Sequence, residues 1–327
     1  EGTVQYFLED GTPLKEGKYR TTDLSKSEQG FYVTANGLKS DVFKVSIREP
    51  FAEDAYETIT YPVVFHLIQD KTKVELGQGV GADIVNYAFN TIYNCFARTA
   101  AFSPNGADTK IRFRLAEYDP NGRKMEEKGI NRYSLSTSDL NNLNPEKIKN
   151  NPKICWDYKR YLNIWIVENM GNSVSTPHYI LNTADLNQIQ GVSFEQLSLE
   201  EIEKQEYSLT DIGLIYGARD FAIEDVGYPT QMGKFFGLLD TENQKEDYCE
   251  DTFAYNTYKE PWNTALEGSN SRLKISTDGL IFYSVNIMDA SSYKNTISMD
   301  QVKRIRTITD NCPHRWAWKS DWAFTGK

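Results

Sequence analysis

The sequence predicts an α+β fold with α/β character, a small β unit followed by a larger domain in which strands and helices alternate. Three observations predict it. Residues up to about 52 alternate apolar and polar side chains around an Asn-Gly pair, with no helical period. An apolar run at 61–68 is followed by a stretch with helical period, as in strand–helix units. Strand-period runs then recur at 111–115 and 162–166.

In the front unit, Gly30-Phe31-Tyr32-Val33-Thr34 and Val42-Phe43-Lys44-Val45-Ser46-Ile47 read as strands joined near Asn36-Gly37. That dipeptide tolerates the positive φ angles of a tight hairpin turn. Two or three strands cannot close a sandwich, so residues 1–52 are expected to be part of an immunoglobulin-like module. Glu49-Pro50-Phe51-Ala52-Glu53-Asp54 reads as a linker into a second domain, 53–327. There, Tyr61 to Ile68 is expected to be a buried strand. Ile84, Val85, Ala88, Phe89, Ile92, Tyr93 and Phe96 mark one face of an amphipathic helix. Ile111, Phe113 and Leu115 alternate in a further strand, and Leu162, Ile164 and Ile166 in another. Residues 170 to 215 read as polar and irregular, with a charged patch from Leu199 to Glu206. A last helix is expected near Met299 to Thr309.

Composition narrows the function classes. The chain has 327 residues, 39% hydrophobic and 25% charged, as in ordinary globular proteins. Its formal net charge of −10 argues against nucleic acid and anionic membranes as partners. No apolar run is long enough to span a bilayer. The opening Glu1-Gly2-Thr3 shows no basic and apolar leader, so a cytosolic or an already processed chain is expected. Cys95, Cys155, Cys249 and Cys312 are far apart, with no C-x-x-C pair. Two disulfides in any of three connectivities, or four reduced thiols, fit that spacing equally.

Several candidate sites reduce to structural readings. Gly77-Gln78-Gly79-Val80-Gly81-Ala82 satisfies G-x-G-x-x-A, but it follows a loop-like stretch and has no acid about 20 residues on, so a flexible start to the helix is the better reading. His66 lies in an apolar strand and is expected to be packed. His178 and His314 lie in loops beside prolines. No two histidines stand three or four apart, and no G-x-S-x-G elbow supports a serine nucleophile.

The segment Thr230-Gln231-Met232-Gly233-Lys234-Phe235-Phe236-Gly237-Leu238-Leu239-Asp240 is the strongest signal. It resembles the zinc helix of metzincin metalloproteases of the pappalysin/cytophagalysin family, H-E-x-G-H-x-x-G-L-x-H. Gly233, Gly237 and Leu238 match. Thr230, Lys234 and Asp240 stand for the three histidines, and Gln231 for the glutamate. Downstream, Asp247-Tyr248-Cys249-Glu250-Asp251-Thr252-Phe253 is similar to the family's D-x-C-x-D-T-P loop. Asn286-Ile287-Met288-Asp289 resembles its Met-turn, and Ser298-Met299-Asp300-Gln301-Val302-Lys303-Arg304-Ile305 resembles its F-T-x-x-Q-x-x-R-M helix. Upstream, Ile111 to Arg132, ending Lys128-Gly129-Ile130-Asn131-Arg132, and Tyr161 to Val167 agree as well. The resemblance runs in order from about residue 57 to 315.

The resemblance implies a metzincin-type catalytic-domain fold, a mixed twisted sheet with an active-site helix and a Met-turn at Met288. It also implies zinc as the cofactor of active members. The substitutions remove that chemistry: a zinc protease needs three ligands and a glutamate that deprotonates water. Thr230 is a poor ligand, Lys234 brings an ammonium to a cation's place, and Gln231 keeps the shape of glutamate without its basicity. Ala290 stands where related enzymes carry a transition-state tyrosine, so five functional groups differ. No metal is expected, with Asp240 the one ligand that remains possible. Lys234 snorkelling to solvent is the favoured arrangement, and an ion pair between Lys234 and Asp240 across the metal's position is the alternative. The acidic run Glu246, Asp247, Glu250 and Asp251 lacks an EF-hand frame and reads as a solvated loop rather than a calcium site.

The function implied is that of a pseudoprotease, with no intact catalytic residue, whose cleft holds a peptide or protein. The alternatives are a secreted zinc-dependent metalloendopeptidase with a non-standard site, or a cell-surface adhesion or glycan-binding protein. The resemblance further implies an exported, cell-surface or periplasmic lipoprotein of the Bacteroides-type branch, reaching a membrane only through a lipid anchor outside this chain. In that setting Cys249 is the first cysteine expected to be bridged.

Overall fold

In the front unit a central strand, flanked on both edges, organises everything else. The structure is a computed structural model; it describes residues 3–49, 52–73, 80–100, 106–181, 189–223, 227–241, 246–257, 273–277, 279, 281–289 and 294–327. Contacts divide the chain into two units, Glu1–Ala52 and Glu53–Lys327. The first holds β1 (Val4–Leu8), β2 (Glu28–Ala35), β3 (Leu38–Lys39) and β4 (Phe43–Ser46). β2 pairs antiparallel with the other three. Asn36 and Gly37 have φ of +52° and +79°, so the predicted hairpin turn forms where the sequence places it. β1 was not foreseen, and the unit is one four-stranded sheet rather than two or three strands. Among its described residues Gly30 alone is buried.

The second unit is built on a five-stranded sheet from β5 (Ile59–Asp70), β6 (Ile111–Leu115), β7 (Ile130–Leu135), β8 (Leu162–Val167) and β11 (Gly213–Gly217). β6 pairs with the first five residues of β5 and β7 with its last six, on the edge opposite β8, and β11 lies beyond β8. The central strands are covered on both faces, so β8 and β11 are buried throughout and β5 in all but Thr60. β6 and β7 are edge strands: Ile111 and Phe113 of β6 are buried, whereas in β7 Arg132 and Ser134 are exposed and Ile130 alone is buried. Pro62, unusual in a central strand, falls one residue before β8 joins at Val63, so its missing N–H leaves that ladder intact.

Two expectations are corrected here. Among the described residues the five strands of the sheet all pair in parallel, rather than in the mixed sheet expected, and the antiparallel pairing to it is one bridge in which Ser173 exchanges two hydrogen bonds with Ile215 of β11. The stretch 170–215 is less irregular than its polarity suggested. It contains the parallel pair β9 (Tyr179–Leu181) and β10 (Glu195–Leu197), leads into β11, and turns the charged patch into a helix, α4 (Leu199–Lys204). Ser198 and Glu201 close a capping box at its start.

The remaining strands, β12 (Tyr255–Thr257), β13 (Leu273–Ser276) and β14 (Ile281–Tyr283), form a small antiparallel sheet. The helices are α1 (Ala82–Phe96), α2 (Thr137–Asn141), α3 (Pro145–Lys149), α4, α5 (Ala218–Ala222), α6 (Tyr228–Phe235), α7 (Met299–Asn311) and α8 (Trp322–Thr325). α1 and α7 fall where the apolar period places them. Gly77 to Gly79 of the glycine-rich stretch lie outside the described residues, and Gly81 is the N-cap of α1.

Helices α1 and α6 pack over the sheet through aromatic rings. Phe236, just after α6, meets Tyr61 of β5 at 5.2 Å and Phe96 of α1 at 5.7 Å between centroids, and Phe96 meets Phe113 of β6 at 5.2 Å. Such pairs add to the burial of their large apolar surface. A second cluster, including Ile68, Ile148, Trp165, Val167 and Ile215, joins β5, β8 and β11 to α2 and α3.

His66 is a packed core residue, as expected. Asn131 Nδ2 donates to its Nδ1 and its Nε2 lies 2.9 Å from Asn163 Oδ1, which fixes a neutral ring with the proton on Nε2. Burial lowers its pKa to about 4. His314 is also buried, among the rings of Tyr158, Tyr179 and Tyr207, and burial lowers its pKa to about 4. No described helix is long and apolar enough to cross a membrane.

Candidate functional site

The helix α6 is shaped by residues that pack before it is shaped by residues that react. Gly227, at φ +35°, turns the chain into it, and Pro229 occupies its first turn, where no backbone donor is needed. It ends in a Schellman motif: Leu238 N donates to Gly233 O and Gly237 N to Lys234 O, both at 2.9 Å. That motif requires a left-handed residue, and Gly237 supplies it at φ +90°. A Cβ on Gly237 would also lie 2.9 Å from Ile308 Cγ1 of α7. A Cβ on Gly233 would lie 2.9 Å from Met288 Sδ, so this glycine lets the helix sit directly on the methionine.

Met288 is held in a tight turn by its neighbours. Asn286 Oδ1 accepts from Met288 N at 2.9 Å. The Asn286 and Gln301 carboxamides pair with each other, at 2.8 and 3.1 Å, and Gln301 Oε1 also accepts from Ser298 N at 3.0 Å. The turn is therefore tied to the first turn of α7. Two threonines bracket it from the motif segment. Thr230 Oγ1 donates to Ile287 O at 2.5 Å, and Thr241 Oγ1 bonds Met288 O at 3.3 Å and the Asp289 carboxylate. Burial raises the pKa of Asp289, opposed by its bonds to Ser284 and Thr241 and by the charges of Lys274 and Lys294.

On this frame the four predicted positions on α6 and just beyond it come together. Thr230 and Lys234 stand one turn apart on the same face. The Schellman turn brings Asp240 back toward them, and Lys234 Nζ lies 3.0 Å from Asp240 Oδ2. Of the two arrangements open to Lys234 the ion pair forms, not the favoured snorkelling, yet neither partner is deeply buried, with side-chain exposures of 28% and 33%. Thr230 Oγ1 accepts from Lys294 Nζ at 3.0 Å while donating to Ile287 O. Gln231 is half-buried beside them. Ala290 lies outside the described residues.

These groups do not fit a zinc ion. The Thr230 hydroxyl is committed to a carbonyl and an ammonium, and Lys234 brings a positive charge against the one carboxylate, Asp240. Among the described residues no group of three or more His, Cys, Asp or Glu is arranged to hold a metal ion.

The acidic loop is not simply solvated. Asp247 is buried, accepts from Thr252 Oγ1 on both oxygens and from Cys249 N, and has its pKa raised by burial. Asp251 accepts from Ser298 Oγ at 2.6 Å and Asp300 N at 3.0 Å, a negative charge at the N-terminus of α7. All four cysteines are unbridged, Cys249 included, and its thiol lies 3.6 Å from Asp247 O. Burial pushes the Cys155 thiol up to about 11 and the Cys95 thiol up to about 12.

Two buried arginines complete the frame, and spacing alone had not singled them out. Arg304 of α7 donates from Nε to Gly237 O at 2.6 Å, and Arg315 donates from Nε to Phe235 O at 2.6 Å while stacking on the Phe235 ring. Both satisfy carbonyls at the end of α6, which has no helical partner for them. Gln301 and Arg304 are the two letters of the Q-x-x-R pattern, the signal from which their importance was readable.

Comparison with known proteins gives the fold a reference. No protein-family model and no curated protein matches the chain. Among solved structures the chain is similar to mature mirolysin of Tannerella forsythia in complex with a cleaved peptide, at 18% identity and a TM-score of 0.52, covering 82% of this chain and 97% of that one. A promirolysin variant from the same organism matches at 19% identity and a TM-score of 0.53, covering 82% and 85%. Mirolysin in complex with a small compound matches at 18% and 0.53, covering 82% and 98%. The chain therefore shares the fold of mirolysin, with mixed α and β structure.

Proposed function

We propose that this chain is a pseudoprotease, which holds a peptide or protein segment beside α6 without cutting it. One observation carries the reading. At the positions where the metzincin resemblance asks for zinc ligands, Lys234 and Asp240 are bonded to each other at 3.0 Å. Thr230, at the third, is bonded to Ile287 and Lys294. With Gln231 in place of the glutamate, that position supplies no general base. The peptide-holding part draws support from the likeness to mirolysin, a protease solved with a cleaved peptide. The packing residues Gly233 and Met288, which seat α6, are kept although the ligand positions are exchanged.

In this reading Ser284 to Asp289 is a Met-turn kept for its packing, and the four-stranded front unit is what this chain holds of an immunoglobulin-like module. In this reading the protein is also exported, as a surface or periplasmic lipoprotein.

The test is metal analysis of the purified protein together with a peptide-cleavage assay. Substoichiometric zinc and no chelator-sensitive cleavage are expected. Stoichiometric zinc with cleavage abolished by chelator would overturn the reading in favour of an active metalloendopeptidase.

A further inference from the structure

We propose that His314 is an acid-sensitive latch on the end of α6: a proton on its ring unseats the turn Pro313–Arg315, and Arg315 then lets go of the helix. The latch acts on the helix itself, whether or not a peptide lies beside it. His314 is 3% exposed. Between centroids, its ring lies 5.3 Å from Tyr158, 5.6 Å from Tyr207 and 5.9 Å from Tyr179. Those rings come from three separate stretches of chain: the segment ahead of β8, the segment ahead of β11, and β9. His314 Nε2 is buried, with no hydrogen-bond partner among the described residues. A neutral imidazole tolerates this seat, whereas an imidazolium would bring a charge and a further N–H into it.

The next residue carries the link to α6. Arg315 is 1% exposed and donates from Nε to Phe235 O, from Nη1 to Asp211 O and from Nη2 to Ser175 O. Its own carbonyl accepts from the Tyr61 hydroxyl of β5. His314 and Arg315 share one three-residue turn, so neither can leave its seat without disturbing the other. The surrounding charges set the sign. Arg315, His178 and Lys159 oppose a proton on His314, and Asp211 favours it. The Cys312 thiol and the Tyr158 and Tyr207 phenols, all raised by burial, are neutral in acid. Farther out, Asp157 and Glu203 act on Tyr158, and Lys149 lies over the Tyr207 ring. Burial outweighs these charges and holds the seated ring at about 4, against roughly 6.5 once the turn is open. The open form therefore takes up the proton first, and opening becomes easier as pH falls below about 6.5.

The experiment is hydrogen exchange of the full chain, read by mass spectrometry and corrected for the intrinsic effect of pH. From pH 7 to about pH 5 the amides of residues 232–240 should lose about twentyfold in protection, the ratio that a shift from 6.5 to about 4 gives. That loss should be the same with and without about 1 M urea, because a local opening exposes little surface. His314→Phe, its folding checked by a thermal melt, should abolish it. An NMR titration of the unaltered chain does not depend on that variant and should place His314 below about 5. A His314 that titrates near 6.5 with α6 still protected, held as a cation by the tyrosine rings, overturns the latch. So does the absence of any loss at residues 232–240, or a loss that persists in His314→Phe. A loss that grows with urea in step with that of β8 marks global unfolding and overturns it as well.

Discussion

Within residues 230–240, the positions that pack and the positions that would react have fared differently. A Cβ on Gly233 or Gly237 would fall 2.9 Å from Met288 Sδ or Ile308 Cγ1 respectively, so a packed neighbour would have to shift. Thr230, Lys234 and Asp240 bond to neighbouring groups, Gln231 is half-buried, and the helix keeps its seat. A packing position is tied to several segments at once, so its replacement is felt by the whole domain. A ligand position answers mainly to the ion it holds, and without that ion the chain tolerates many side chains there.

The largest expected effect tests whether pH-dependent stability belongs to the core rather than to this segment. His66 and His314 have folded pKa values of about 4, below the unfolded value near 6.5. The unfolded state therefore binds more protons between those values. Their contribution is complete above about pH 6.5 and is lost as pH falls toward 4, amounting to roughly 2 kcal/mol each between neutral pH and about pH 5. Urea unfolding at several pH values should show this loss in Lys234→Met/Asp240→Leu just as in the parent chain, whereas His314→Phe should remove about half of it. A loss that vanished in the first variant would place the titration at the site instead.

Next in size is Gly233→Val, which forces a branched side chain against Met288 and should cost about 3 kcal/mol, read as a drop in urea midpoint. A loss under 1 kcal/mol would erase the contrast between the two sets of positions. Asn286→Ala strands Gln301 and the Met288 N–H and should cost about 2 kcal/mol, with Asn286→Asp recovering little because it removes the donor to Gln301 Oε1. Smallest is Lys234→Met, expected to change stability by less than about 1 kcal/mol, because its pair is about a third exposed. A cost as large as that of Gly233→Val would mean that the ion pair, not the glycine, fixes the helix.

The parts legible in the sequence are those whose cause is local. β5, α1, β6, β8 and α7 follow from apolar period, and the Asn36-Gly37 turn follows from backbone preference. β11 was missed because Gly213-Leu214-Ile215-Tyr216-Gly217 is too short and glycine-flanked to show a period. The parallel sheet was misread as mixed because strand direction depends on crossovers, which residue patterns do not record. At the site, Lys234 and Asp240 are six residues apart and their meeting was foreseeable. The pairing of Asn286 with Gln301, of Asp251 with Ser298 and of Arg315 with Phe235 was not, since those partners lie 15, 47 and 80 residues apart. The metzincin resemblance flagged some of these letters but not what they touch.

The two arginines that finish α6 impose an order on the protein's own making. The helix leaves the ribosome 67 residues ahead of Arg304 and 80 ahead of Arg315, yet its last carbonyls have no other described partners as strong as those guanidinium groups. A nascent chain that stops short of residue 304 presents α6 with its end still asking for water. The segment carrying the candidate site is thus among the last parts of the domain to set, whatever the speed of the sheet beneath it.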